Sequence, residues 1–596
     1  MAKALNPTWD LDCFFPGGSE SPAFQEFLDD LNKRTETFHE RLKKAESPQT
    51  EAEAEVYTDL THELQAIMSR ILEGISFTDC LASQNQADRK AVAMGGRVQD
   101  ISALFQAALS QLDRFLAGIP DDVFISLLKK APWSDASFYL NERRQLSKEK
   151  LSPEMEALAS SLAVDGYHGW SKLYDTAVGK INIPFEVDGK LEQLSAGQAF
   201  NQLHNPDRET RAELFKLWEA AWAEHADLFA DTLNRIAGFR LRLYAQRGWD
   251  SVHKEPLAIN RMKKETLDTM WDTVEKNKEI FVRFLERKAK LLGVDRLAWH
   301  DVDAPIGKAD KKISYEDAAD LIVDQFHTFS PKMAEFARLA LDNRWIEVED
   351  RPGKRPGGFC TPFPLEDQSR IFMTYSGTAD NVSTLAHELG HAFHDYVMKG
   401  MPHLAKEYAM NVAETASTLA ETIVSAATIQ AETDKEAKIA LLSDKINNAI
   451  AMFMNIHARF LFETKFYAER EQGIVSIERL NELMVEAQEK AYCGALSEYH
   501  PHFWAAKLHF YATDVPFYNF PYTFGLLFSS GIYKTATEAG AGFEDHYIAL
   551  LRDTASMTVE DLAAKHLGVD LKKPDFWQRA IDLLRADVEQ FLALTE

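Results

Sequence analysis

In the stretch TLAHELGHAFHDYV, Thr384 to Val397, His387 and His391 stand four residues apart with Glu388 between them. On a helix, residues four apart lie one turn above each other on the same face, so both imidazoles can reach a single cation. Glu388 is turned about 100° round the helix from His387. Its carboxylate can reach a water on that cation without itself becoming a ligand. Two histidines with a base beside them suit the hydrolytic chemistry of zinc. Leu385, Ala386, Leu389, Ala392 and Phe393 surround them. Burying two imidazoles and a carboxylate among such residues is costly unless something organises them. The metzincin continuation needs glycine at position 394 and histidine at 397; the sequence has His394 and Val397, which rejects that class.

A third ligand is expected downstream. In EYAMNVAETASTLAETIVSAA, Glu414, Ser417 and Glu421 recur at i, i+3 and i+7, on one face of a helix whose other positions are largely apolar. Glu414 is the first candidate ligand. Glu407, nearer a loop, is the second. Glu421 is placed to orient a ligating histidine through its other ring nitrogen.

Most of the chain has helical periodicity. SPAFQEFLDDLNKRTETFHERLKKA opens on a Ser-Pro signal, and NPDRETR…AQRGWDSV predicts one or two long helices between an Asn-Pro turn and Gly248. From Arg351 the pattern changes. RPGKRPGGFCTPFPLEDQSRIFMTYSG is too rich in proline and glycine for a long helix, and its runs GGFCTPF and RIFMTY predict a small sheet. Asn381 and Ser383 are the expected N-caps of the helix that carries the two histidines. A boundary near residue 190 divides an N-terminal helical region, 1–190, from a catalytic region, 191–596.

The net charge of -26, from 66 Lys and Arg against 92 Asp and Glu, disfavours nucleic acid and anionic membranes as partners. Four scattered cysteines form no CxxC pair, so neither a zinc ribbon nor a disulfide framework is expected. With no signal-peptide core and no apolar run of membrane-spanning length, a cytoplasmic location is expected. Oligomeric state is not readable.

GTADNVSTLAHELGHAFH followed by NVAETASTLAE resembles the thimet oligopeptidase and oligoendopeptidase F family of zinc metallopeptidases. The likeness extends to GGFCTPF upstream and HFYATDVPFYNFPYTFG downstream, with the oligoendopeptidase F branch closest. The resemblance implies one Zn²⁺ held by His387, His391 and Glu414, with Glu388 as general base. It also implies a mainly α fold: a large two-lobed helical body with a deep substrate channel and a small sheet beside the zinc-binding helices. Its implied substrates are oligopeptides cut at internal bonds.

Peptide hydrolysis develops negative charge on the carbonyl oxygen, and His509, Tyr511, Tyr518 and Tyr522 are candidate donors to it, Tyr518 before Tyr522. Gly357, Gly358 and Phe359 are candidates for holding an extended peptide by its backbone along a strand edge. Two other functions remain open. A zinc carboxypeptidase or dipeptidyl carboxypeptidase would need a cationic anchor such as Arg351, Lys354 or Arg355. A non-catalytic, metal-containing peptide-binding protein would have no use for Glu388.

Overall fold

The computed structural model describes residues 5–187, 189–307, 312–540 and 542–596, and its elements follow from local signals. Ser21 accepts a hydrogen bond from the Phe24 amide and Pro22 takes the first helical position, opening α1 (Pro22–Lys44). Two further long helices, α2 (Leu60–Gln84) and α3 (Arg89–Ala117), pack on it. The strands β1 (Asn182–Val187) and β2 (Lys190–Ser195) form an antiparallel hairpin. Asp207 caps α4 (Arg208–Glu224); α5 (Ala226–Arg247) follows it and closes on Gly248 at φ 70°, so the expected long helical stretch is two helices.

A three-stranded sheet comes next, in the order β3 (Ile346–Glu347), β5 (Gln368–Phe372), β4 (Phe359–Phe363). β4 pairs antiparallel with β5, as the runs GGFCTPF and RIFMTY predict, and is an edge strand. The remaining principal helices are α6 (Ala379–Val397), α7 (Met410–Ala431), α8 (Ile456–Arg470) and α9 (Phe520–Ala539). Among the described residues no helix is long and apolar enough to cross a membrane.

Two hydrophobic cores form. The smaller gathers residues from Trp9 to Leu140 together with Phe363, Phe372 and Leu404. The larger runs from Ala163 to Leu592. The cores therefore part between Leu140 and Ala163, upstream of the expected boundary at residue 190, because the β1–β2 hairpin packs through Ile183, Phe185 and Leu194 into the larger core.

On α2, Glu73 lies buried beneath the β4–β5 turn, where one oxygen accepts from the Leu365 amide at 3.2 Å. Burial, then the neighbouring Glu366 carboxylate, pushes its pKa far above the ordinary carboxylate range. The folded protein thus keeps a proton that the unfolded chain has lost. Stability from the neutral form is present at low pH and drains away as pH rises above about 4.5. Glu73→Gln is expected to flatten the fall of Tm between about pH 6 and about pH 9, measured by thermal unfolding across that range. Parallel Tm curves for the two proteins would refute it.

Candidate metal centre

Helix α6 starts earlier than the sequence suggests. Thr378 is the N-cap, accepting from the Asn381 amide at 3.2 Å, and Asn381 serves at the third helical position of a capping box. Neither Asn381 nor Ser383 caps the helix, because the reciprocal Thr378–Asn381 pair satisfies two backbone donors together. Leu385, Ala386, Leu389, Ala392 and Phe393 are fully buried, as their spacing predicts. This fixes the rotation of α6, so that His387 and His391 face α7.

The crossing of α6 and α7 is set by glycine. A Cβ on Gly390 would lie 2.6 Å from the Ala416 carbonyl oxygen and 2.6 Å from the Ser417 Cα, so only glycine lets the two backbones approach this closely. Gly525 does the same for α9, where a Cβ would lie 2.9 Å from the Cβ of Glu414. Glu414 is thereby pressed between two helices and aimed at α6.

The result is a convergence of three donors. His387 Nε2 lies 3.3 Å and His391 Nε2 3.6 Å from Glu414 Oε2, and the three groups offer ligand atoms all within 4.8 Å of one another. Tetrahedral ligands about 2.0–2.2 Å from one ion stand about 3.3–3.6 Å apart, so the donor set fits a metal ion. Glu421 Oε2 is 3.3 Å from His387 Nδ1, the second ring nitrogen, and leaves Nε2 free to ligate. Ser417 Oγ donates to Glu414 at 2.9 Å. Glu407, the other candidate ligand, is engaged with His403 at 3.3 Å.

The electrostatics match this arrangement. Burial opposes charge on His387, but hydrogen bonds to Glu414 and Glu421 outweigh it and raise its pKa to about 10. Burial also opposes charge on Glu414, yet the hydrogen bond from His387 and the nearby imidazoles bring it to about 2. Burial holds His391 down to about 4. Glu388 is 7% exposed, and burial, reinforced by Glu414 and opposed by His387, lifts it to about 7. Its Oε1 lies over Gly358, where an added Cβ would come within 3.4 Å.

A cavity of about 580 Å³ opens beside the donors. His387, Glu414, Glu421 and Tyr522 line it, with Asp380 and Asp444 from outside the motif. Of the candidate donors to the carbonyl oxygen, Tyr522 is the one that lines this cavity. Tyr518 follows at 6.0 Å between ring centroids, and His509 lies 5.1 Å beyond Tyr518. Tyr511 does not join them: it is 1% exposed and stacked at 3.8 Å on Tyr174, in the core. Gly357 takes φ +95° just before β4, and Phe359 stacks on Phe372 at 5.2 Å.

Other polar residues around the motif have structural partners. His394 is buried, with Nε2 3.0 Å from Thr554 Oγ1. His500 and His502 both turn to Glu219, His502 at 2.7 Å. Two of the three expected cationic anchors are occupied: Arg351 binds Glu349 at 2.9 Å and Glu347 at 3.3 Å, and Lys354 binds Glu347 at 3.2 Å. Sequence reasoning missed Asp380 and Asp444, which carry no motif, and Gly390, whose place inside HELGH was itself a signal of close backbone approach.

A helix pair that presents two imidazoles and a carboxylate to one point, with a free carboxylate alongside, defines a metal-dependent hydrolase. The chain belongs to peptidase family M3: the model of that family matches residues 201–583, and one described as oligopeptidase F matches residues 116–182. It is 25% identical over 431 residues to an oligoendopeptidase F homologue of Lactococcus lactis, covering 71% of this chain and 70% of that one. It is 22% identical over 599 residues to oligopeptidase PepF of Bacillus subtilis, covering 98% and 86%. A crystal structure of oligoendopeptidase-F from Enterococcus faecium superposes with a TM-score of 0.71 at 18% identity over 97% of this chain and 99% of that one. The mainly α fold and the family resemblance are borne out, and the protein is a metallopeptidase that acts on peptides.

Proposed function

We propose that the protein is a zinc-dependent endopeptidase that hydrolyses internal bonds of unstructured oligopeptides. The observation that carries this reading is the convergence of His387, His391 and Glu414 with Glu388 held beside them but outside the donor set. A Zn²⁺ bound there would supply a Lewis acid and a water acidified to about pKa 7.

The protein's own groups do the rest. Glu388 accepts a proton as the water oxygen bonds to the scissile carbonyl carbon. It then passes that proton to the nitrogen of the breaking C–N bond. Its placement in a poorly solvated site suits transfer in both directions near neutrality. Tyr522, with Tyr518 behind it, donates to the oxygen that gains charge. The edge strand β4, entered through Gly357 and Gly358, offers backbone groups to an extended peptide, which supports loose sequence preference.

The test is metal dependence. Protein stripped by a chelator should lose cleavage of a quenched fluorescent peptide and recover it when Zn²⁺ is restored to one ion per chain. Full activity in verified metal-free protein would overturn the proposal. Within the same assay, Tyr522→Phe should lower kcat by about 100- to 1000-fold with little change in KM, as expected for a donor used mainly in the transition state. Tyr518→Phe should have the smaller effect. A normal kcat in Tyr522→Phe would remove that tyrosine from the chemistry.

A further inference from the structure

Past the turn of α6 that carries His391 lies a second cavity, of about 210 Å³, whose lining shares no residue with that of the catalytic cavity. It sits at the seam of the two cores. Leu72 on α2 and Phe363 face it from the side of the smaller core, and Trp345 from the side of the larger. Asp395, one helical turn after His391, lines it together with Ser369 and Tyr408.

Two acceptors in this cavity keep capacity to spare. Asp395 Oδ2 accepts from Ser369 Oγ at 3.3 Å, and the Tyr408 hydroxyl bonds to the same carboxyl group. Both partners are neutral, and a carboxylate offers about four lone-pair sites. Burial pushes the Asp395 carboxyl up to about 7, and neither these hydrogen bonds nor the Lys406 charge brings it back. Lys406 is itself turned to Asp367, at 3.4 Å. His403, whose side chain is 9% exposed, presents Nε2 to Glu407 Oε1 at 3.3 Å. An N–H must face that carboxylate, so Nδ1 is left an acceptor, and it has no hydrogen-bond partner. The lining thus sets the carboxyl groups of Asp367, Asp395 and Glu407 against the single ammonium of Lys406. A buried carboxylate with no cation in contact is costly, and a cation in the cavity answers it.

We infer that this cavity binds a compact organic cation, an ammonium or guanidinium on a short carbon chain, with Asp395 as its counter-ion and His403 Nδ1 as a further acceptor. Ionised donors make the stronger hydrogen bonds to a carboxylate, and the rings of Trp345 and Phe363 take the carbon chain out of water. The occupant is a free small molecule, not a side chain of the peptide being cut. At this end the edge of β4 is closed: Ser76 Oγ on α2 donates to the Pro362 carbonyl oxygen at 2.7 Å and lies 2.7 Å from Thr361 Oγ1. A peptide extended along β4 from Gly358 is stopped short of the cavity. Because the occupant touches residues from both cores, it braces the seam between them. The inference goes beyond the peptidase reading, which uses neither Asp395 nor His403.

The test is calorimetric titration of the metal-loaded full chain with n-butylguanidinium and with n-butylurea, which has nearly the same shape and no charge. The guanidinium should bind as one molecule per chain, at least about tenfold more tightly than the urea, and should raise Tm as it saturates. Asp395→Asn should weaken guanidinium binding by at least about tenfold and leave kcat and KM for peptide within about twofold of wild type. Leu72→Phe, which narrows the cavity and leaves Asp395 in place, should weaken binding too, so that a failure of one variant to fold leaves the other to decide. Equal affinity for guanidinium and urea, or for guanidinium in wild type and Asp395→Asn, would overturn the site. So would a guanidinium that raises the peptide KM alike in both proteins, since it would then occupy the catalytic cavity beside Asp380 and Asp444. The other source of the same chemistry is tested with peptides carrying arginine or citrulline about three residues from the cleaved bond, the reach set by the rise of about 10 Å along α6 from Glu388 to Asp395. A KM advantage for arginine that Asp395→Asn abolishes would keep the site and make a substrate side chain its occupant.

Discussion

Glu388→Gln is expected to keep one metal ion per chain and to lower kcat by about 100- to 10,000-fold, the usual span for a lost general base. The amide matches the carboxylate in shape, so the contact with Gly358 and the burial of the side chain survive. What it loses is the capacity to take a proton from the attacking water. Glu414→Gln should behave in the opposite order, losing metal first, because its Oε2 is the point on which both imidazoles converge. Metal analysis beside single-turnover kinetics separates the two. A Glu388→Gln protein that retained more than about a tenth of wild-type kcat would exclude this residue as the base.

Gly390→Ala is expected to be nearly as severe by a different route. The added methyl cannot be relieved by turning a flexible side chain, since what it meets is backbone, the Ala416 carbonyl oxygen and the Ser417 Cα, both at 2.6 Å. The helices must separate, at a cost of about 1–3 kcal/mol, the range for overpacking a tight core. Any separation moves Glu414 away from His387 and His391 together. Metal affinity should therefore fall by at least about tenfold, with a lower Tm for the metal-free protein as well. The check is metal titration combined with thermal unfolding of the stripped protein. Unchanged affinity would mean that the donor geometry does not depend on this crossing.

The metal site was the most legible part of the sequence, because its signal is local. Two histidines four apart, an apolar stripe around them and a second helix with carboxylates on one face are all written within about fifty residues, and helical geometry alone brings them together. Helices bounded by Ser-Pro, by the Asn205-Pro206 turn and by Gly248 were readable for the same reason. The cap of α6 was missed because Thr378 and Asn381 act as a pair, and either Asn381 or Ser383 satisfied a single-residue rule equally well. Tyr511 was misplaced because four aromatic and imidazole groups in one short segment give no hint of which turns inward; the choice is made by Tyr174, more than three hundred residues away in sequence. Asp444 could not be found at all, since it reaches the cavity only through the packing of a helix with no motif.

Strand β5 belongs to both cores at once. Its side chains alternate, and Phe372 enters the smaller core while Ile371 enters the larger. The neighbouring strand, carrying Phe363 into the smaller core, begins one residue after Gly358 and its contact with Glu388. The first 140 residues are thus no detachable appendage. A chain trimmed to begin at residue 141 would turn Phe363 and Phe372 out to water and loosen the sheet whose edge meets Glu388 at Gly358.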